Sequence, residues 1–372
     1  MKHKLTISTL LLLALFSALA PAAFASTTWY VNGVSGSDGN NCKSPTTACK
    51  TIHHAIALAS SGDSIRVAAA TYTENLTIGI SLNVIGSGAT ATIIDGHCVN
   101  TVITIPNSAS VTLSQVTVRN GCARYAGGIS NHGTLRIIAT TVIGNHAGLS
   151  NKYGSTGGGG IYNSGVLTIS DSTLTGNTSR ARCEMACNAY GGGLANAIGA
   201  SLTINNSTVN GNLASAFCYM RCFAIGGGIY SEGTAIINNS TLSENAAPLG
   251  GGIDGSATLQ NSIVANSPSG GNCGGGPMTS NGYNMSDDNT CNFHNSGDRN
   301  NTNPMLGPLQ NNGGQTQTMA LPSGSPAIDA GNPSGCTDGS GHLLTTDQRG
   351  YPRHDPEDTR GCDMGAYERQ SD

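Results

Sequence analysis

The chain has 372 residues, of which 52 are Gly and 36 are Asn, while aromatic residues make up 5% and charged residues 10%. A globular domain ordinarily carries about 25% charged residues and about 7% Gly, so this composition excludes a solvated helical bundle and an ordinary enzyme core. A hydrophobic content of 38% with a net charge of -4 also excludes a disordered chain, because enough apolar surface remains to build a core.

The first predicted element is a signal peptide over residues 1-25. Lys2 and Lys4 form its basic start, Leu10 to Ala20 its apolar stretch, and Ala23-Phe24-Ala25 a small-residue cleavage site before Ser26. The apolar stretch is shorter than the ~20 residues of a membrane span and no later segment qualifies, so export without a transmembrane span is expected. Loss of Lys2 and Lys4 leaves 15 basic against 21 acidic residues, a net of -6. Phosphate recognition needs a basic surface, so nucleic acid is not an expected partner.

Residues 26-95 read as an N-terminal cap with the first coils of a solenoid. Between Thr51 and Ser60, the residues Ile52, Ala55, Ile56 and Ala59 recur at helical spacing, which predicts an amphipathic helix plugging the open end. His53 and His54 lie on that helix and read as surface or cap residues.

Residues 96-267 repeat. The stretches Thr134 to Asn145, Val166 to Asn177, Ser201 to Asn212 and Thr234 to Asn245 align, each preceded by glycines. The apolar residue after each glycine run falls at Ile129, Ile161, Leu194, Ile229 and Ile253, giving steps of 32, 33, 35 and 24 residues. Runs such as Leu167-Thr-Ile169 alternate apolar and polar residues, which is strand periodicity. Each run is too short to bury its apolar side alone, so successive repeats must stack. The predicted fold is all-β: a single-stranded right-handed parallel β-helix, closed by the N-terminal helix. Asn145, Asn177, Asn212 and Asn245 fall at one corner, and Asn131, Asn163 and Asn196 with Ser231 at another, where stacked amides bond along the axis. Steps longer than 24 residues carry loops, all inserted between the Asn and the glycines. Over residues 268-372 the repeat decays into Gly-, Asn-, Asp- and then Pro-rich sequence, read as C-terminal coils and a cap.

All twelve cysteines, Cys42, Cys49, Cys98, Cys122, Cys183, Cys187, Cys218, Cys222, Cys273, Cys291, Cys336 and Cys362, lie beyond the cleavage site. In an exported chain an even number reads as six disulfides, and no Cys-x-x-Cys or ligand-spaced His points to a metal. Local pairing of Cys42 with Cys49, Cys98 with Cys122, Cys273 with Cys291 and Cys336 with Cys362 is the economical arrangement. Cys183, Cys187, Cys218 and Cys222 form two Cys-x-x-x-Cys loops offset by 35 residues, and pair either within each loop or across adjacent coils.

Three stretches carry a family resemblance. Trp29-Tyr-Val-Asn-Gly-Val-Ser-Gly-Ser-Asp-Gly, Cys49-Lys-Thr-Ile-His-His-Ala-Ile and Gly62-Asp-Ser-Ile-Arg-Val-Ala resemble the N-terminal cap of secreted bacterial right-handed parallel β-helix proteins, several polysaccharide lyases among them. The Gly-Gly-Ile units with Ser-Thr-Leu-x-x-Asn resemble polymorphic outer-membrane-protein repeats, with Leu or Val in place of Phe. Asn303-Pro-Met-Leu-Gly-Pro-Leu, Gly324-Ser-Pro-Ala-Ile-Asp-Ala-Gly331, Asp347-Gln-Arg-Gly-Tyr-Pro-Arg353 and Gly365-Ala-Tyr-Glu368 resemble the choice-of-anchor Q domain of bacterial surface and secreted proteins. The resemblance implies fold and export rather than one activity. Only Arg-Gln-Ser-Asp follows Glu368 where such proteins carry a sorting tail, so release or periplasmic retention is expected over anchoring. The expected location is extracellular or secreted, at the cell surface or in the periplasm.

Catalytic signatures such as Gly-x-Ser-x-Gly and His-Glu-x-x-His are absent, and Asp287-Asp288 reads as a turn. The corner loops are more informative, because each offers a cation and an aromatic ring. Stacking is expected to form a row of Arg124, Lys152, Arg182 and Arg221 beside Tyr125, Tyr153, Tyr190 and Tyr219, with rings on sugar faces and guanidinium groups on carboxylates or sulfates. The expected function is a non-catalytic monomer that binds extracellular or cell-surface polysaccharide, with no cofactor. The alternative is a polysaccharide lyase or related carbohydrate-active enzyme on acidic polysaccharide, drawing on Arg119, Arg124, His132, Arg136, His146 and Lys152, with calcium as its cofactor.

Overall fold

A computed structural model describes residues 26–148, 154–353 and 361–370. The expected signal peptide, Lys152 and Tyr153 lie outside the described residues.

The repeats form coils of a right-handed parallel β-helix with three faces. Face one comprises the short strands Ile103–Ile105, Ile129–Asn131, Ile161–Asn163, Leu194–Asn196 and Ile229–Ser231. Face two comprises Ser110–Ser114, Thr134–Ile138, Val166–Ser170, Ser201–Asn205 and Thr234–Asn238. Face three comprises Thr117–Arg119, Thr141–Ile143, Thr173–Thr175, Thr208–Asn210 and Thr241–Ser243. Faces one and two merge where Ile253–Gln260 runs through both. Pairing is parallel and in the register the sequence alignment requires: Ile129, Ile161, Leu194, Ile229 and Ile253 are mutual partners, and all are fully buried. Val142, Leu174, Val209 and Leu242 do the same on face three. Each such side chain contributes about 1.5–3 kcal/mol when fully buried, so the core is a column of equal layers.

Corners are held by amide ladders. The Nδ2 of Asn145, Asn177 and Asn212 donates to the Oδ1 of Asn177, Asn212 and Asn245 at 3.0, 3.0 and 2.9 Å. Asn131 donates to Asn163 at 2.7 Å, Asn163 to Asn196 at 2.8 Å, and Asn196 to Ser231 Oγ at 3.1 Å. All of these residues are buried, so the amides satisfy one another where water cannot. A third ladder, which sequence reading passed over, runs through Ser172, Ser207 and Ser240: each Oγ accepts the backbone N–H of the coil before it.

The helix Ile52–Leu58 closes the first end with Ile52 and Ala55 buried against the core. Its first N–H groups are taken by Thr51 Oγ1 and by the Glu74 carboxylate, which satisfies donors a helix start leaves open. At the other end Cys291 and Phe293 plug the column. The region from Asn303 onward, resembling a terminal cap in sequence, lies along the side of the solenoid instead. Thr316, Gln348, Arg353 and Ala366 bond to residues of three successive coils near face three, at Asp171, Thr173, Asn206, Thr208 and Thr241.

All twelve cysteines pair within the chain: Cys42–Cys49, Cys98–Cys122, Cys183–Cys187, Cys218–Cys222, Cys273–Cys291 and Cys336–Cys362, with Cα separations from 4.6 to 6.1 Å. Six disulfides suit a chain that folds in an oxidising compartment. No helix among the described residues is long and apolar enough to cross a membrane.

Candidate functional site: a fin and the tyrosine corner beside it

The corner loops build a fin between face three and face one. Its first layer stacks the strands Cys122–Ala123, His146–Ala147, Thr178–Arg182 and Leu213–Phe217. Its second layer stacks Thr156–Gly157, Ala186–Tyr190 and Arg221–Ile225. The sequence permits two layers because the inward positions are small: Ala181, Ala189, Ala214 and Ala224 are buried between them. Cys183–Cys187 and Cys218–Cys222 close the two tips within their own loops. The Sγ of Cys222 lies within 4.8 Å of both Cys183 and Cys187, so the bridges stack as neighbours.

This two-layer geometry divides the expected row of cations and rings. Strand alternation turns Arg182 outward from the first layer, where its guanidinium lies 5.9 Å from the Phe217 ring centroid. It turns Arg221 outward from the second layer, on the opposite side, 5.8 Å from the Phe223 ring. Tyr219 stands at the tip, 84% exposed, with its ring edge toward Phe217. Tyr125, Arg124 and Tyr190 lie on the second-layer side, with the Arg124 guanidinium 5.4 Å from the Tyr125 ring. The groups expected to serve a lyase are likewise dispersed. Arg119 pairs with Asp95 at 2.7 Å on face three, and Arg136 points outward from face two. His146 sits on the first layer of the fin, its ring held below the ordinary value by burial and then by Arg180. His132 bonds Ser130 and Ser164 at the corner between faces one and two.

The second layer and face one meet as two walls of an inside corner. On the fin wall, successive coils present Tyr125, Gly157, Tyr190, Ile225 and Leu249. On the face-one wall they present Ser130, Tyr162, Ala195, Tyr230 and Asp254. Each of four consecutive coils therefore supplies one tyrosine, on alternate walls, and a smaller residue stands opposite. The rings meet across the corner: Tyr125 and Tyr162 edge to face at 6.1 Å between centroids, Tyr190 and Tyr230 tilted by 33° at 4.7 Å. Gly157 and the run Gly158-Gly159-Gly160 leave room for this approach; Gly158 has φ 66°, and a Cβ there would strike the backbone of Ile161. Coils repeat about every 4.8 Å, so the four rings form a ladder along the axis.

Polar groups flank the ladder unevenly. Arg124 and His132 stand at its first end, His132 tilted over Tyr162 at 6.3 Å. Glu232 and Asp254 stand at its second end. Burial, then a hydrogen bond to the Glu232 carboxylate, pushes the Tyr230 phenol well above its ordinary value, which keeps it a neutral donor. Asp254 is 5% exposed, and burial raises its carboxyl. Tyr162, Tyr230 and Asp254 escaped the sequence reading. The signal was present, because each directly follows a buried residue of the Ile161, Ile229, Ile253 series and strand alternation must turn it outward.

A polar cavity of about 460 Å³ lies between face two and the terminal region, with Arg136, Asp171 and Asp338 in its walls. Asp287 and Asp288 are tied into the local backbone and side chains. They accept hydrogen bonds from Asn266, Asn272, Ser286 and Thr290, as a structural turn does.

No family model matches this chain, and no curated protein matches it by sequence. Among solved structures, a crystal structure of pectate lyase Pel9A is similar over 93% of this chain and 98% of that one, with 15% sequence identity and a TM-score of 0.35.

Proposed function

We propose that this chain is an exported, surface-acting glycan-binding protein and that the tyrosine corner is where the glycan lies. The observation that carries this reading is the ladder itself: Tyr125, Tyr162, Tyr190 and Tyr230, one per coil, alternating between two walls. Tyrosine combines a flat apolar ring with a hydroxyl at low entropic cost, so it suits the apolar face and hydroxyl rim of a sugar ring. Successive rings at coil spacing suit successive sugars of a linear chain. The coils are rigid and in register, so the platforms are preorganised and binding does not bear the cost of ordering a loop.

The acidic-polysaccharide reading draws its support from Arg124 and Arg221 on the second-layer side, since Arg182 faces the opposite side of the fin. A lyase needs a base and several cations around one sugar carboxylate, and of Arg119, Arg124, His132, Arg136 and His146 only Arg124 and His132 share a surface, at the first end of the tyrosine corner.

The test is binding of neutral, uronate, sulfated and amino-sugar oligosaccharides to wild type, Tyr190→Ala, Tyr230→Ala and Arg182→Ala. The two tyrosine variants should bind at least about tenfold more weakly, the loss expected at a central aromatic contact, while Arg182→Ala stays at the wild-type level. Absence of binding across the panel, or an equal loss in Arg182→Ala, overturns the reading. Release of unsaturated uronate products from any polymer would instead establish a lyase.

A further inference from the structure

The tip of the fin is built differently from its base. Met185, Phe217, Tyr219, Met220 and Phe223 are 67%, 61%, 84%, 77% and 41% exposed. The turns that carry them are hydrogen-bonded across coils, from Tyr219 N–H to the Glu184 carbonyl and from Arg221 N–H to the Met185 carbonyl, and both are stapled by their disulfides. Five large apolar side chains are thus held at the extremity of a rigid protrusion. Phe217 and Phe223 lie on opposite sides of the blade, each with an arginine, Arg182 or Arg221, within 6 Å of its ring. Arg180 follows one step nearer the base. Glu184 is the single acidic residue in segments 178-190 and 213-225, against three arginines, in a chain whose net charge is -4. Positive charge is therefore concentrated behind an apolar edge.

We infer that the fin tip is a membrane-surface anchor: Met185, Phe217, Tyr219, Met220 and Phe223 enter the headgroup region of an anionic lipid layer, while Arg180, Arg182 and Arg221 pair with lipid phosphates. An interfacial anchor needs apolar side chains ahead and cations at headgroup level, and arginine's long stem lets its charge remain at the polar boundary while the neighbouring ring enters. A protein partner fits less well. A stable interface buries about 800 Å² on each side, more than a blade edge one or two side chains wide offers, whereas a lipid layer closes around any edge. Phe217, Tyr219 and Met220 stand outside the tyrosine corner, so vesicle binding is read on residues that the glycan test does not alter.

Co-sedimentation of the mature protein with vesicles tests it, using phosphatidylglycerol–phosphatidylcholine mixtures against phosphatidylcholine alone. Wild type is expected to partition at least about tenfold more strongly onto the anionic vesicles, with the preference falling as salt rises. Phe217→Ser combined with Met220→Ser is expected to abolish partition, and Arg182→Gln with Arg221→Gln to remove the anionic preference. These residues are exposed, so an unchanged circular dichroism spectrum verifies the fold of each variant. A Tyr219→Trp variant gives a second readout, since the only native tryptophan, Trp29, is buried at the far end of the solenoid: its emission should shift to the blue on anionic vesicles. Failure to bind anionic vesicles, or binding that the tip substitutions leave unchanged, overturns the inference.

Discussion

The repeated coils and the terminal region are held together by different chemistry. Coils are joined by neutral partners used over and over: an apolar row on each face, and amide ladders such as Asn145, Asn177, Asn212 and Asn245. The terminal region adds charged groups used once to neutral contacts such as Gln348 with Thr173 and Thr208. Arg353 is buried and donates to Asn206 Oδ1 at 2.8 Å, to Glu368 Oε2 at 3.0 Å and to the Gly365 carbonyl at 2.7 Å. Arg349 pairs with Asp347 at 2.7 Å and lies 3.7 Å from the Tyr367 ring centroid. The difference teaches where each region is fragile. Loss of one rung is shared by neighbours on both sides, whereas loss of one buried ion removes the countercharge of its partner.

The most severe way to break this contrast is Arg353→Met. Removing one partner of a buried ion pair costs about 3–5 kcal/mol, here by taking the guanidinium from between Glu368 and Asn206. The expected result is release of the terminal region while the coils persist, seen as early proteolysis after residue 303 and early amide exchange confined to that region. Unfolding in one step with the coils would show the two regions to be a single cooperative unit. Asn177→Ala probes the other side. It takes the Asn177 Oδ1 from the Asn145 backbone N–H and the Asn177 amide from the Val142 carbonyl, at about 1–3 kcal/mol for a buried unpaired group, and chemical denaturation should show a loss in that range spread over the coils, with the terminal region unaffected at low denaturant.

The same contrast explains what could be read from sequence. The buried series Ile129, Ile161, Leu194, Ile229 and Ile253, both Asn ladders and the capping helix were legible because each is either periodic or local. The four local disulfides were legible from short separations, and the pairing of Cys183 with Cys187 and Cys218 with Cys222 was narrowed to two arrangements. The candidate site was half legible. Tyr125 and Tyr190 were found in the loops, but Tyr162 and Tyr230 sit inside strands, where periodicity drew attention to the buried neighbour. Arg182 and Arg221 were placed in one row because adjacent loops each offer a cation, yet the chain reverses between two layers and carries them to opposite sides. Arg353 meets Asn206 across 147 residues, and a contact made once at that distance leaves no periodic trace.

The finest test of the contrast lies at Asp171, where a repeated corner meets the terminal region. Neighbouring coils place Asn206, Asn239 and Asn261 at this corner with φ of 46°, 47° and 49°, and Asp171 adopts φ 53° in the same stack. Asparagine tolerates this left-handed conformation well, so the coil geometry favours the amide. Burial pushes the Asp171 carboxyl up to about 6 from 3.8, with Asn206 and Arg353 opposing and Asp347 adding to the rise. Because the folded value lies above the unfolded one, the protonated form is the one the fold prefers. Its stabilising contribution is complete below pH 3.8 and is lost as pH rises through about 6. Asp171→Asn keeps the shape and removes the ionisation, so it should match wild type near pH 4 and become more stable by up to about 3 kcal/mol at pH 7, each of about two pKa units being worth about 1.4 kcal/mol. Denaturation midpoints of the two proteins measured from pH 4 to pH 8 should diverge across that interval. Parallel curves would mean that the carboxylate is paid for by Arg353 after all, and that charge is shared across the boundary between the coils and the terminal region.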